Sequence, residues 1–432
     1  MHMNVTTSDT ESVSSLLRRV CKILDLAQEA VHLLGRDGYP DPNGSAMSIR
    51  PEKIIGETAF FLLQASRLSH YPEVAIRVQQ LAPIVHQYAR SKKTATDICL
   101  HPALALEYAQ AHICLVRMGY PDERFDELLH KSLAASAHQG KERPPHRVLE
   151  QYWIRQSWES RHSPDDAYEV AFRYAALAKP MDLIHGTTDD FYAFTHALMY
   201  ITDFSTVRQQ LPRSNATLAA EADAILARCM WENDHDLAGE VLLTWPLTAM
   251  PFSPAASFVF HYLSGLEDET GFLPLEAAHQ QVHDQMEITE QKKYRFATGY
   301  HTAYVMGLLC AVTIQSGSLS SQQPKENKTF EHSAREIMPF LETSDTTPRW
   351  LADLRSLPEA EQDALSSWLL ELALVKAART HQYDHVYTLL SLGYEYDIID
   401  TELARQAAEL LDRLALLGEL YKKTAVSGLE FI

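Results

Sequence analysis

The chain has 432 residues, with 38 Lys and Arg against 57 Asp and Glu, for a formal charge of −19. Its 46% hydrophobic and 22% charged residues describe a globular protein rather than a disordered or fibrous one, and the length permits two or three domains or one large repeat-built domain. The acidic excess is spread along the chain and leaves no Lys/Arg clusters for nucleic acid or an anionic membrane, so neither is an expected partner.

The opening, MHMNVTTSDTESVSSLL, has neither the basic stretch nor the apolar core of a secretion signal, and no apolar run approaches the roughly 20 residues of a membrane span. Cys21, Cys99, Cys114, Cys229 and Cys310 are odd in number and scattered, without a CxxC pair. They read as thiols in a reducing compartment, which predicts a cytoplasmic protein.

In chain order, a helix is expected over 12–35, then a turn-rich linker over 36–50 (RDGYPDPNGSAMSIR). Further helices follow at 55–68, 101–119, 188–204, 218–231, 255–266, 272–286 and 295–315, each with apolar residues at three- and four-residue steps. A polar stretch at 315–329 (QSGSLSSQQPKENKT) reads as a flexible loop before helices at 364–380 and 399–420. No alternating strand pattern appears, so the fold class is all-α. Short turns carrying Pro or Asp recur around Pro72, Pro121, Pro164, Asp234 and Asp384, where Pro opens a helix and acids face the positive end of its dipole. Their spacing predicts a helical-hairpin repeat forming an α/α toroid or tightly curved α-solenoid. The divisions would be an N-terminal helix and linker (1–50), a hairpin body with a central cavity (51–315), a loop (316–329) and a C-terminal helical segment (330–432).

One segment concentrates chemistry. On a helix at about 100° per residue, Asp189, Tyr192, His196, Tyr200 and Asp203 fall within roughly 80° of arc, while Phe191, Phe194 and Leu198 lie opposite. A stripe of Asp, Tyr and His without Lys or Glu suits a partly enclosed cavity, where carboxylates set a histidine tautomer or hold a cation. The plainer reading makes Asp189 or Asp190 a helix-start residue and His196 a cap. The helix at 297–314 is strongly apolar yet opens with Tyr300 and His301 and carries Tyr304, as a cavity floor would; a satisfied core histidine is the alternative. Gly307 within it implies close helix packing. The run at 239–274, with Pro246, Pro251 and Pro254, reads as an extended crossover anchored by Trp245 and Phe252.

Other patterns are weaker. The pairs His279/His283 and His381/His385 have metal-chelating i, i+4 spacing but lack the HExxH glutamate. Asp165, Asp166 and Glu169 resemble a Mg²⁺-diphosphate motif, although Pro164 makes a helix start simpler. No GxxxxGK[ST], GxGxxG or GxSxG is present, so no nucleotide cofactor is expected.

The strings FYAFTHALMYITDF (191–204), LLTWPLTAMPFSPAASF (242–258), GFLP (271–274) and YHTAYVMGLLCA (300–311) resemble an uncharacterised all-helical bacterial family associated with specialised-metabolite gene clusters. The resemblance covers roughly 145–315 and implies an all-helical fold with a tailoring or accessory role in natural-product biosynthesis. It carries no catalytic residues. From the residues themselves, His196, His301, Asp203 and Asp189 are the catalytic candidates. Tyr192, Tyr200, Tyr300 and Tyr304 are the substrate-binding candidates, and His196, Asp203 and His301 are candidate ligands of a divalent metal. The enzyme would act on a small molecule or peptide by acid–base or metal-assisted chemistry, and homo-oligomerisation is compatible. The alternative is a non-catalytic helical-repeat scaffold that binds a peptide or carrier-protein partner.

Overall fold

The computed structural model describes residues 12–34, 50–159, 164–271, 273, 286–317, 333–342 and 348–426. The linker expected at 36–50 lies outside these residues except for Arg50, as does the loop at 315–329 beyond Gly317. The expected helix at 272–286, His279 and His283 also fall outside, except for Leu273 and Met286.

The protein is all-helical, 79% helix, with no strand among the described residues. Its helices are α1 (Val13–Leu33), α2 (Pro51–Ser66), α3 (Pro72–Ala89), α4 (Lys92–Leu100), α5 (Ala105–Arg117), α6 (Glu123–Leu133) and α7 (Pro145–Trp158). These continue with α8 (Asp166–Tyr174), α9 (Thr188–Ile201), α10 (Asn215–Glu232), α11 (His235–Leu242), α12 (Thr244–Thr248), α13 (Pro254–Thr270) and α14 (Ile288–Ser316). The C-terminal part holds α15 (Ser333–Leu341), α16 (Arg349–Ser356), α17 (Glu359–Ala364), α18 (Ser366–Arg379), α19 (Tyr383–Glu395) and α20 (Glu402–Val426).

Helix starts follow local chemistry. The side chains of Ser12, Asp122, Asp165, Ser214, Asp234 and Ser253 each accept a backbone N–H of the first turn, satisfying donors that have no partner within the helix. Pro51, Pro72, Pro145 and Pro254 open helices where a missing N–H has no consequence. Asp165 is therefore a cap, accepting from the Tyr168 N–H at 2.9 Å. The crossover expected at 239–274 is shorter than the prolines suggested. Pro246 sits in the first turn of α12, where helix N–H groups are unpaired anyway, and between α11 and α13 the non-helical residues are Leu243 and 249–253.

Consecutive helices pack in pairs, as in α2/α3, α4/α5, α10/α11 and α18/α19. The spine is the 29-residue α14, against which α1, α2, α11 and α12 pack. This helix corrects the expectation that no stretch reaches membrane-spanning length: Glu290–Ser316 is long and apolar enough, and 89% of its apolar window is buried inside the protein. Close approach is built from missing side chains. A Cβ on Gly307 would lie 2.7 Å from Phe61 Cε2 and 2.9 Å from Ile23 Cγ2, and one on Gly239 would lie 2.9 Å from Val305 Cγ1. One cluster of buried apolar residues runs from Leu16 to Ala407, with α18 joined to α10 by the Trp368 indole N–H donating to the Asp223 carbonyl at 3.1 Å.

Candidate functional site

The first wall of the site is α9. Thr187 accepts the Asp190 N–H while the Asp190 carboxylate accepts the Thr187 N–H at 2.8 Å, a reciprocal cap that fixes where the helix starts and how it is rotated. Phe191, Phe194 and Leu198 are then buried at 1%, 0% and 0% exposure. Tyr192, His196 and Tyr200 are left half-buried on the opposite face. Their rings form a ladder, with centroids 5.9 Å apart for Tyr192–His196 and 6.2 Å for His196–Tyr200.

The second wall is α11, whose sequence HDLAGEVL buries every residue it contains. Asp236 and Glu240 stand one turn apart on a common face. Each has one oxygen anchored by a threonine. Thr302 Oγ1 donates to Asp236 Oδ1 at 2.8 Å, and Thr195 Oγ1 donates to Glu240 Oε2 at 2.6 Å. Tyr192 completes the Asp236 partners by donating its phenol to Oδ2 at 2.8 Å.

His301 enters from the middle of α14 and joins the walls. Its Nδ1 lies 3.1 Å from Glu57 Oε2 on α2, and its Nε2 lies 3.5 Å from Asp236 Oδ2 and 3.6 Å from Glu240 Oε1. His196 Nε2 reaches the other Glu240 oxygen at 3.4 Å. Two imidazoles from α9 and α14 thus address opposite oxygens of one carboxylate. Glu240 is 3% exposed, whereas His196 and His301 keep 21% and 31% of their side chains accessible. The partly accessible faces of His196 and His301 border the recess between α9, α11 and α14.

The electrostatics follow from the arrangement. Burial by itself would lower the His301 imidazole, but Asp236, Glu57 and Glu240 outweigh it and hold it well above its ordinary value. His196 is likewise raised against burial, by Glu240. In return, burial would raise Glu240, yet His196 and His301 keep its carboxyl far below the carboxylate range, and His301 does the same to Glu57. The phenol of Tyr192 is pushed far up by burial and by Asp236, and that of Tyr200 by burial and by Glu150, to which it donates at 2.8 Å. His146 stands apart. Its ring is 6.0 Å from His196, and burial with Arg147 and His196 pushes it down to about 4. The carboxylates thus favour the charged form of His301 and His196, while burial and cationic neighbours favour the neutral form of His146.

The predicted residues are brought together only in part. His196, His301, Tyr192 and Tyr200 share the recess. Asp189 is exposed in the first turn of α9. Asp203 is not in the cluster, because α9 ends at Ile201 and the chain then turns through left-handed Asp203, Phe204 and Ser205, with φ of 42°, 54° and 70°. Its carboxylate accepts from Arg117 at 2.9 and 3.0 Å, from Arg67 at 3.2 Å, from the Trp153 indole at 2.7 Å and from Thr206. Tyr300 is 3% exposed beside His301, where burial and Glu57 push its phenol far up. Tyr304 points away to Thr58 Oγ1, 2.9 Å distant, and stacks on Phe61. His381, left-handed at φ 58° and ahead of α19, bonds Tyr383, and His385 within α19 bonds Gln382, so the two do not share a helix face. The residues that sequence reasoning missed are Asp236, Glu240 and Glu57. Their available signal was a pair of carboxylates four residues apart in a stretch otherwise apolar or small, DLAGE.

Asp236, Glu240 and His301 present ligand atoms that all lie within 4.8 Å of one another, close enough to share one cation. Comparison with curated proteins and with solved structures gave no match. A family model described as a domain of unknown function, DUF6895, matches residues 23–311, a span that contains every residue of the cluster and starts well before the stretch that carried the resemblance. The chain belongs to the DUF6895 family, an uncharacterised domain family.

Proposed function

We propose that the protein is an enzyme that transforms a small molecule or peptide in the recess between α9, α11 and α14, by acid–base or metal-assisted chemistry. The observation that carries this reading is the convergence of His196 and His301, 105 positions apart in the chain, on opposite oxygens of the buried Glu240, with both rings still accessible. A scaffold has no use for buried carboxylates held against accessible imidazoles, whereas proton transfer or Lewis-acid chemistry requires such a set. Tyr192 and Tyr200 line the entrance as substrate contacts.

The hairpin body at 51–315 would curve into a toroid or tight solenoid around this hollow. A tailoring step in natural-product biosynthesis is the role we assign by resemblance, and the scattered cysteines without a CxxC pair favour the cytoplasm. The test is untargeted mass spectrometry of a bacterial metabolite extract incubated with the protein. Features consumed by the native chain should persist with His196→Ala and with His301→Ala, both checked for native helicity. Equal consumption by either variant would remove the site assignment.

A further inference from the structure

We propose that Asp236, Glu240 and His301 form a binding site for one divalent transition-metal cation, with Glu57 orienting the histidine from behind. This deepens the reading of the recess as the functional site and names the group that works there.

The geometry argues for a shared central atom. His301 Nε2 sits nearly equidistant from Asp236 Oδ2 at 3.5 Å and Glu240 Oε1 at 3.6 Å. Both separations exceed the roughly 2.7–3.2 Å of a well-formed N–H···O bond, so neither carboxylate makes a good hydrogen bond there. Donors held about 2.1 Å from one ion lie about 3.0–3.5 Å apart, a range that the two His301 separations border, with all three ligand atoms within 4.8 Å of one another. Each carboxylate keeps one oxygen fixed by a threonine, Thr302 or Thr195, and turns the other toward Nε2. That is how ligands are oriented before an ion arrives.

The outer partner fits as well. Glu57 Oε2 lies 3.1 Å from Nδ1, so the proton on that nitrogen faces a carboxylate, and an incoming cation takes the place of the proton that Nε2 holds toward Asp236 and Glu240. A carboxylate behind a ligating imidazole fixes its tautomer and strengthens its donation. Three carboxylates within one small cluster, balanced only by His196 and the 61% exposed Lys53 once His301 serves as a neutral ligand, also leave negative charge that a divalent cation neutralises. Two carboxylates and one imidazole without thiolate select Mn²⁺, Fe²⁺, Co²⁺ or Zn²⁺ over Ca²⁺, which takes six to eight oxygens, and over Cu⁺. Three protein donors leave the remaining positions to water or substrate.

The experiment is equilibrium binding of Mn²⁺ to the chelator-treated full chain by electron paramagnetic resonance, with Zn²⁺ competition and a thermal melt in parallel. One equivalent of Mn²⁺ should bind with a nitrogen coupling from one imidazole, raise the melting temperature, and be displaced by Zn²⁺. His301→Ala should abolish the nitrogen coupling. Glu57→Gln, which leaves all three ligands in place, should weaken binding 10–100-fold, and Asp236→Asn more than 100-fold. No saturable binding by the native chain, or an unchanged nitrogen coupling in His301→Ala, overturns the proposal. Failure here is separable from failure of the enzymatic reading. Metabolite turnover that needs His196 without a bound ion defeats the cation site alone, and a bound ion without turnover defeats the enzymatic reading alone.

Discussion

The imidazole of His301 and the carboxylate of Glu57 meet at 3.1 Å although 244 positions separate them, and this contact ties α14 to α2 at the edge of the recess. Removing the ring takes the imidazole away from Asp236 and leaves Glu57 with Lys53 and Glu240 with His196 as their nearest cationic groups. His301→Ala should therefore lower stability by about 2–3 kcal/mol, and Glu57→Gln by about 1 kcal/mol. The double variant should cost less than the sum, with a coupling of about 1 kcal/mol. Urea denaturation of the four proteins at pH 7 measures the cycle, and strict additivity would show that the contact is energetically empty.

Asp203 is predicted to matter for folding and not for chemistry. Burial opposes its charge, but the guanidinium groups of Arg117 and Arg67 hold the carboxyl far below the usual range. A carboxyl depressed in the folded state stabilises it above the unfolded pKa of about 4, and that contribution is lost as pH falls. Asp203→Asn should cost about 2–4 kcal/mol at pH 7, leaving Arg67 and Arg117 opposed without an anion. The gap from the native chain should narrow as melts are repeated from pH 5 down to pH 3, while turnover per folded molecule stays unchanged.

The seam between α10 and α18 predicts the opposite pH response. Asp223, whose Oδ1 accepts from Ser253 Oγ at 2.6 Å, is pushed by burial up to about 7. Glu371 on α18 is raised well above its ordinary value by burial and by Asp223. A carboxyl raised in the folded state keeps a proton that the unfolded chain has lost, so stability declines as pH rises from about 4 to about 7. Asp223→Asn keeps an acceptor for Ser253 and removes the ionisation. It should be near neutral at pH 4 and stabilising by about 1–3 kcal/mol at pH 8, as read from denaturation curves at the two pH values. Equal effects at both would refute the assignment.

Gly307→Ala tests the packing of the spine. Alanine gains about 1 kcal/mol of helix propensity, yet its methyl would lie 2.7–2.8 Å from the Phe61 ring and 2.9 Å from Ile23. Overpacking of that kind costs about 1–3 kcal/mol, so the variant should be less stable by about 1–2 kcal/mol. Phe61→Leu in the same chain should recover part of the loss. A thermal melt above that of the native protein would show that the helices have room to separate.

Much of this was readable from the residues, for identifiable reasons. Burial of Phe191, Phe194 and Leu198 against exposure of Tyr192 and His196 follows from the helical period alone, and Gly307 signalled close packing because glycine is otherwise unfavourable there. Asp203 was placed on the same stripe by extending the period two residues beyond Ile201. Three successive left-handed residues cannot be read from TDFS, which holds no glycine. The signal of Asp236 and Glu240, two carboxylates four residues apart, was masked for another reason. In WENDHDLAGEVL an acid near a helix start reads as a solvated dipole partner, and whether it is buried depends on α14 arriving from elsewhere in the chain. Glu57 hid likewise among the polar residues of PEKIIGETAFF.

Gly239 lies between Asp236 and Glu240, and its bare Cα meets Val305, one turn beyond His301. The gap across which the oxygens and the imidazole nitrogen face one another is thus governed by a hydrogen atom where other residues carry a methyl. A single added carbon at 239 would widen that gap without altering any donor. The spacing of the cluster is thus set by packing at a position that carries no polar group of its own.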